Sequence, residues 1–422
     1  MILLCALLLL SMVIGNYLLH RDVLYPGFLQ AFLWLFATVL FLTTQGMFIP
    51  VAANIFVLFV TGVVLFGMGA FVASYNHRPA FTRNRLLDGS MPNKGVVFVL
   101  AMMALIGLVL YVNKAAQLAS SGPFTNPYIN LRYALSVTWE ETGGDLGLLS
   151  YFIPCSYVWS AIAVLNRNGF AEPRSSRLLV ILTVIVGLTY GVLSSGRGVV
   201  LPLILIVVVI PTILRVTTPG KTARTLGILV FGLFVLVGLA LGKGGNVAST
   251  IQDNWVGMRD SFLLYSLGGI PSFDIFIHNQ GHALEMGVNS FRTILAVLRA
   301  LGFGTPTVPL VQPYADIPMP VNVYTVYQPY IKDFGIGGIL ILFPLGFAHG
   351  WLYRKATVPN PHAAYVFLFA LSLFPLGMQI FQDMYFSVLS TWIQYGVISV
   401  LLFGFLSARN ITRRLRPAHE VA

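Results

Sequence analysis

Residues 51–74 read VAANIFVLFVTGVVLFGMGAFVAS, a run without one charged side chain and with Asn54, Thr61 and Ser74 as its polar positions. About 20 mainly apolar residues, coiled as a helix, cross the hydrocarbon core of a bilayer. In water such a helix would need a protein core on every side; in lipid its apolar surface can face outward. Working outward from it, the sequence holds eleven such candidate runs: 2–19, 25–43, 51–74, 95–112, 146–165, 177–194, 199–214, 226–242, 336–353, 363–381 and 384–406. The last two are weakly separated, by Gln382 and Asp383.

Composition agrees. Of 422 residues, 57% are hydrophobic and 9% charged, against roughly 25% charged in a soluble domain. So few charges could not cover the surface of a water-soluble fold of this size. The expected fold class is an all-α polytopic membrane protein, with residues 1–422 as a single integral membrane domain. The chain begins Met1-Ile2-Leu3-Leu4, with no positive region and no small-residue cleavage site after it, so the first run is expected to stay as a helix. Cys5 and Cys155 both lie in apolar runs, which argues against a disulfide framework or a thiolate metal site.

The formal charge of +11 would suggest nucleic acid in a soluble protein. Here most basic residues sit in short loops, the pattern of topology signals, and no basic patch interleaved with aromatics suggests a nucleic-acid partner. With the carboxyl terminus inside, alternation places Arg21, the 78–94 loop, the 167–177 loop, the 215–224 loop, Arg354, Lys355 and the basic tail inside, and the amino terminus outside. Acidic residues gather outside, among them Asp145, Asp260, Asp274, Glu285, Asp316, Asp333 and Asp383. Topology does not ask for such a mixture of signs, whereas a working polar site would. Two outer segments stand out, 113–145 and 243–335, the second far longer than a helix connection requires.

Within these segments several groupings carry chemistry. Ser194-Ser195-Gly196-Arg197-Gly198 is a turn that opens a helix. Glycines on both sides of Arg197 let a ligand approach, free N–H groups favour an anion, and a guanidinium grips phosphate with two bonds. It reads equally as a tight turn with an interfacial arginine snorkelling outward. Asn289 to Gly304 reads as an amphipathic helix, with Asn289 or Ser290 as its cap. Arg292 and Arg299 share one face, and Ile294, Val297, Leu298 and Leu301 the other. That helix fits the membrane interface or a bundle surface with both arginines aimed into a cavity. The segment from Arg259 to Pro271 is too short to span and reads as a re-entrant or surface helix; Arg259 either pairs with Asp260 or binds an anion.

The outer loop closes with Asn322-Val323-Tyr324-Thr325-Val326-Tyr327-Gln328-Pro329-Tyr330-Ile331-Lys332-Asp333-Phe334-Gly335. Aromatic faces beside amides suit sugar, through Asn322, Tyr324, Tyr327 and Tyr330. An aromatic belt at the membrane surface accounts for the rings as well. Asp333 stands where the chain re-enters the membrane and reads as a catalytic carboxylate or as a helix cap; Asp383, between two apolar runs, is the reserve carboxylate. His278 and His282 are four apart, with no third ligand at good spacing, so no metal is expected. No phosphate-binding loop and no Asp-x-Asp pattern occurs, which points away from a nucleotide donor, and no cofactor is expected.

Taken together, Asn130-Leu131-Arg132-Tyr133, Ser195-Gly196-Arg197-Gly198, Ser290-Phe291-Arg292 and Asn322-Val323-Tyr324-Thr325 running to Asp333-Phe334-Gly335 resemble, in that order, the Wzy-type oligosaccharide repeat-unit polymerases, the O-antigen polymerases of bacterial surface polysaccharide assembly. The span count and the late outer loop are similar too. The resemblance implies a C-type glycosyltransferase-like fold in the bacterial inner membrane with its active site facing the periplasm. It implies transfer of a growing chain from undecaprenyl diphosphate to a hydroxyl of the next undecaprenyl-diphosphate-linked oligosaccharide unit, without a nucleotide donor, and a chain-length regulator as a further partner beside membrane lipids. In that scheme Arg197, then Arg292 and Arg259, stabilise the diphosphate leaving group, Arg132 holds the second lipid diphosphate, and Asp333 accepts the proton, with Asp383 in reserve. Two rival readings stay open: an O-antigen ligase of similar plan, and a transporter or flippase for lipid-linked sugar. Against the latter, no internal repeat is visible and charges inside the runs are nearly absent.

Overall fold

The computed structural model describes residues 1–77, 79, 85–136, 146–194, 197–240, 259–260, 262–279, 284–306 and 312–407. The chain is a helical, multi-pass membrane protein: among the described residues, β-structure amounts to one antiparallel pair, β1 (Ala315–Asp316) and β2 (Pro320–Val321). Over their described residues the eleven apolar runs are mainly helical, with 378–381 and 384–385 unwound. Among the described residues, seven helical stretches are long and apolar enough to cross a membrane: Ile2–His20, Pro26–Met47, Ala53–Ser74, Lys94–Ser120, Gly147–Asn168, Tyr327–Ala356 and Phe386–Phe405. Arg177–Leu193, Gly198–Ile213 and Ala363–Gly377 are apolar but shorter.

The helices in chain order are α1 (Ile2–His20), α2 (Pro26–Thr44), α3 (Ala53–Ser74), α4 (Lys94–Ser120), α5 (Pro127–Ser136), α6 (Phe152–Asn168), α7 (Arg177–Leu193), α8 (Arg197–Ile213), α9 (Pro219–Ala240), α10 (Gly269–Asn279), α11 (Arg292–Ala300), α12 (Tyr327–Phe334), α13 (Leu342–Ala356), α14 (Ala363–Gly377) and α15 (Leu389–Ser399). Their starts follow from local chemistry. Pro26 occupies the first turn of α2, where its missing N–H is not needed. Asn93 caps α4 through Gly95 N at 2.9 Å, and Ser176 caps α7 through Leu179 N at 3.1 Å.

Two compact units form. The first comprises Met1–Pro79, Thr250–Arg354 and Ser372–Trp392; the second comprises Ala80–Ser249, Lys355–Leu371 and Ile393–Ala422. In the first, α1, α2 and α3 pack together, and α3 meets α13 at glycines. A Cβ on Gly69 would run into the Phe343 carbonyl, and one on Gly346 into that of Phe66, so both positions must lack a side chain for the backbones to approach this closely. After α14 the chain unwinds over 378–385. Backbone freed inside an apolar protein must find partners, and Gln379 supplies them. Its Oε1 accepts from Gln30 Nε2 (2.9 Å) and Trp34 Nε1 (3.2 Å), its Nε2 donates to the Tyr385 hydroxyl (3.0 Å), and its carbonyl accepts from Val326 N (2.8 Å).

In the second unit α6 is the central element, packed against α4, α7 and α8. Tyrosines tie its helices through carbonyls: Tyr190 to Ala104 (2.8 Å) and Tyr157 to Val199 (2.6 Å). Arg85, expected only as a topology signal, is buried and donates to the Ile213 carbonyl at 3.1 Å, placing a cation on the carboxyl end of α8.

The outer segments depart from the sequence reading in two ways. α4 continues to Ser120, so the 113–145 segment begins as helix. The helix expected from Asn289 starts at Arg292 behind Phe291, without a side-chain cap: the Asn289 amide is committed to Asp333 and Glu285, and the Ser290 hydroxyl makes no capping bond. The helix over 262–267 stops at Gly268, and α10 starts at Gly269 with Pro271 in its first turn and His278 in its last.

Candidate functional site

Three segments of the first unit converge: 284–292 with the start of α11, 312–334 ending in α12, and the unwound 378–388. The first is locked to the last turn of α12. Glu285 N donates to Lys332 O (3.2 Å) and Met286 N to Asp333 O (3.1 Å). Lys332 Nζ pairs with Glu285 Oε1 at 3.1 Å, and Asn289 Nδ2 donates to Glu285 Oε2 at 2.8 Å.

Asp333 is the centre of this lock. It stands near the end of α12, not at a helix start, so it does not cap its own helix. Its fully buried carboxylate accepts from Asn289 N (3.1 Å) and Asn289 Nδ2 (2.7 Å) on one oxygen, and from Ser290 N (2.6 Å) on the other. Three donors satisfy a charge that burial would otherwise penalise heavily. The effect is to fix the turn that delivers Arg292.

Arg292 opens α11 and is half-buried. Nε donates to the Ser387 carbonyl at 2.9 Å, and Nη2 reaches the same oxygen. Two of its five N–H donors are thereby used. Burial lowers its pKa from the usual value, and the Asp383 carboxylate opposes that shift; a guanidinium stays charged regardless. Asp383 is buried in the unwound segment. Its Oδ1 accepts from the Tyr330 hydroxyl (2.6 Å) and Tyr385 N (3.0 Å), and its Oδ2 from Ser387 N (2.7 Å). Ser387 thus joins the two ions: its N–H holds the carboxylate and its carbonyl holds the guanidinium.

Both ions line one cavity of about 110 Å³, together with Asn289, Gln312, Asn322, Tyr324, Thr325, Gln328, Pro329, Gln382, Met384, Ser387 and Val388. A dry cavity of ~150 Å³ holds one benzene ring, so this space admits no more than one sugar ring. Amides dominate the wall, and each offers donors and an acceptor to hydroxyls. Gln328 Nε2 donates to Gln312 Oε1 at 3.0 Å, and the Tyr324 hydroxyl donates to Pro313 O at 2.9 Å. Burial pushes the Tyr324 phenol up, so it remains a donor.

Of the residues singled out in the sequence, Arg292, Asp383, Asn322 and Tyr324 come together here. Tyr327 and Tyr330 are fully buried and do not line the cavity: Tyr327 donates to Phe59 O at 3.1 Å, and Tyr330 supports Asp383 from behind. Asp333 does not line it either. Arg259 is exposed and pairs with Asp260 at 2.8 Å. Arg197 opens α8 and Arg132 lies half-buried in α5, both in the second unit; the Arg197 side chain and its neighbours Ser195 and Gly196 lie outside the described residues. In the motif of Arg132, Asn130 is a clamp, donating to Ala119 O (3.0 Å) and Phe124 O (2.7 Å) and accepting from Phe124 N (2.7 Å). His278 Nδ1 meets Asp274 at 3.1 Å, whereas His282 lies outside the described residues. Among the described residues no three His, Cys, Asp or Glu side chains gather as metal ligands. Gln312, Gln382 and Ser387 were not picked out as site residues; isolated in sequence, they carry no motif.

The chain is similar to an O-antigen polymerase of Shigella dysenteriae, 26% identical over 186 residues. The matched stretch spans 44% of that relative's length and 42% of this chain. No family model matches the chain, and no solved structure matches it. The resemblance to O-antigen polymerases drawn from the motifs is thus shared by a distant named relative.

Proposed function

We propose that the chain is a glycosyltransferase of the O-antigen polymerase type in the bacterial inner membrane. It joins undecaprenyl-diphosphate-linked oligosaccharide units at the periplasmic face. The reading keeps eleven spans with the amino terminus outside, which puts the 243–335 segment on that face. One observation carries the activity: a guanidinium and a carboxylate share one amide-lined cavity.

In this mechanism the bond between the anomeric carbon of the growing chain and its lipid diphosphate breaks, and the acceptor hydroxyl forms the new bond to that carbon. The diphosphate leaves with the bonding electrons. Arg292, with three N–H donors free of Ser387, meets the negative charge as it develops; one such contact is typically worth about 3–4 kcal/mol. Asp383 takes the proton of the attacking hydroxyl, held in orientation by Tyr330 and Ser387 N. Asp333 becomes the residue that positions Arg292, a change from the order of preference the sequence suggested. Asn322 and Tyr324 contact the sugar. Arg197 and Arg132 are retained for lipid diphosphate on sequence grounds alone.

The test is complementation of a strain that lacks its own polymerase but makes the native repeat unit. Wild-type protein is expected to give a ladder of long chains, and Arg292→Ala, inserted at equal amount, to give none. Single capped units with the wild-type gene would overturn the polymerase reading and leave ligation or transport.

A further inference from the structure

α11 presents two unlike faces. Arg292 turns into the cavity, while Ile294, Val297 and Leu301 form a stripe at helical spacing that is left exposed among the described residues; Leu301 is 69% exposed. The apolar exposure continues on both flanks, through Met286 at 78% before the helix and Phe303 at 60% after it. A contiguous apolar surface of this kind marks an interaction site.

What covers it follows from where α11 is anchored. Phe291, immediately before the helix, contacts the ring of Phe334 at 6.2 Å between centroids and that of Phe386 at 5.8 Å. Phe386 begins one candidate membrane span, and Phe334 lies in the first turns of another, Tyr327–Ala356. In that second span Ile336 and Leu340 are exposed, and Leu284 lies within van der Waals reach of Gly335 beside them. The start of α11 is thus anchored where two candidate spans begin, beside exposed apolar residues of one of them. Arg299, on the polar side, folds back onto the Thr305 and Pro306 carbonyls.

We infer that α11 lies in the membrane interface, with Ile294, Val297 and Leu301 in the acyl layer and Arg292 turned inward at headgroup depth. An amphipathic helix with one apolar face takes this position in a bilayer. The consequence, which rests on the proposed activity, is that a diphosphate borne on a lipid reaches Arg292 without its chain leaving the membrane.

The experiment uses the full chain in lipid nanodiscs, with Cys5 and Cys155, both buried, replaced by alanine. A nitroxide is placed at Val297→Cys, Leu301→Cys or Arg299→Cys. Its collision with oxygen, which concentrates in lipid, is compared with collision with a water-soluble nickel chelate. Positions 297 and 301 are expected to favour oxygen several-fold over position 299. Preference for nickel at 297 and 301 would overturn the inference, as would low collision with both reagents, which would mean that protein covers the face. Loss of polymer synthesis does not enter this readout. A chain that makes no polymer yet shows the oxygen preference would contradict the proposed activity and leave the interfacial helix standing.

Discussion

The stretch 322–335 and the stretch 378–388 each contribute one carboxylate, and the two differ in what surrounds them. Asp333 sits in the motif-rich stretch, flanked by aromatics and amides, and both of its oxygens are taken by the backbone and side chain of Asn289 and Ser290. Asp383 sits in a plain gap between apolar helices and lines the cavity opposite Arg292. A rich local sequence therefore marks where the chain is held, while the sparse gap puts its carboxylate where a substrate could meet it.

Substitutions can break or sharpen that contrast. The largest effect is expected from Asp383→Asn. Turnover per inserted molecule should fall roughly a hundred- to ten-thousand-fold, the range for loss of a general base, because the amide keeps an acceptor for Tyr330 but cannot take a proton. Arg292→Ala should follow, with a loss of roughly a hundred- to a thousand-fold. Arg292→Lys should recover little, since an ammonium cannot hold Ser387 O and a phosphate in the same fork; both are read as chain-length ladders normalised to protein in the membrane.

Asp333→Asn should behave differently. Its new NH2 would face the Ser290 N–H, leaving a buried donor without an acceptor at about 1–3 kcal/mol. The thermal midpoint in detergent should drop, and activity per folded molecule should fall by less than with Arg292→Ala, as the turn that positions Arg292 loosens, at an unchanged pH profile. Wild-type stability with no activity would reverse the two carboxylates. Tyr330→Phe removes one 2.6 Å bond from Asp383, for about 1 kcal/mol and a several-fold lower rate. The smallest effect is expected from Glu285→Gln. Its pair with Lys332 is partly exposed, and such pairs contribute about 0–1 kcal/mol, so the midpoint should shift by no more than a few degrees.

Much of the fold was legible because lipid imposes a simple length rule: the described residues of the apolar runs are mostly helical, and seven helical stretches among them are long enough to span. The site was legible in part. Arg292 was found from its position at the start of an amphipathic helix, and Asn322 and Tyr324 from their sugar-like company. Tyr327 and Tyr330 were grouped with them because the stretch was read without a helix. Once α12 forms, these rings turn inward, Tyr327 onto Phe59 and Tyr330 onto Asp383. Gln312, Gln382 and Ser387 reach the cavity through tertiary contacts, which leave no periodic trace. The partners of Asp333 were not legible: a carboxylate near a membrane boundary needs them, and here they come from a segment more than forty positions away in sequence.

The central claim is best tested with purified wild-type chain in liposomes, supplied with one native lipid-linked repeat unit and no nucleotide. Products and released lipid diphosphate are measured together. The account predicts a ladder of joined units, one lipid diphosphate freed for each bond made, and neither with Arg292→Ala. Units that cross the bilayer unchanged, or that transfer only to a different acceptor, would contradict it.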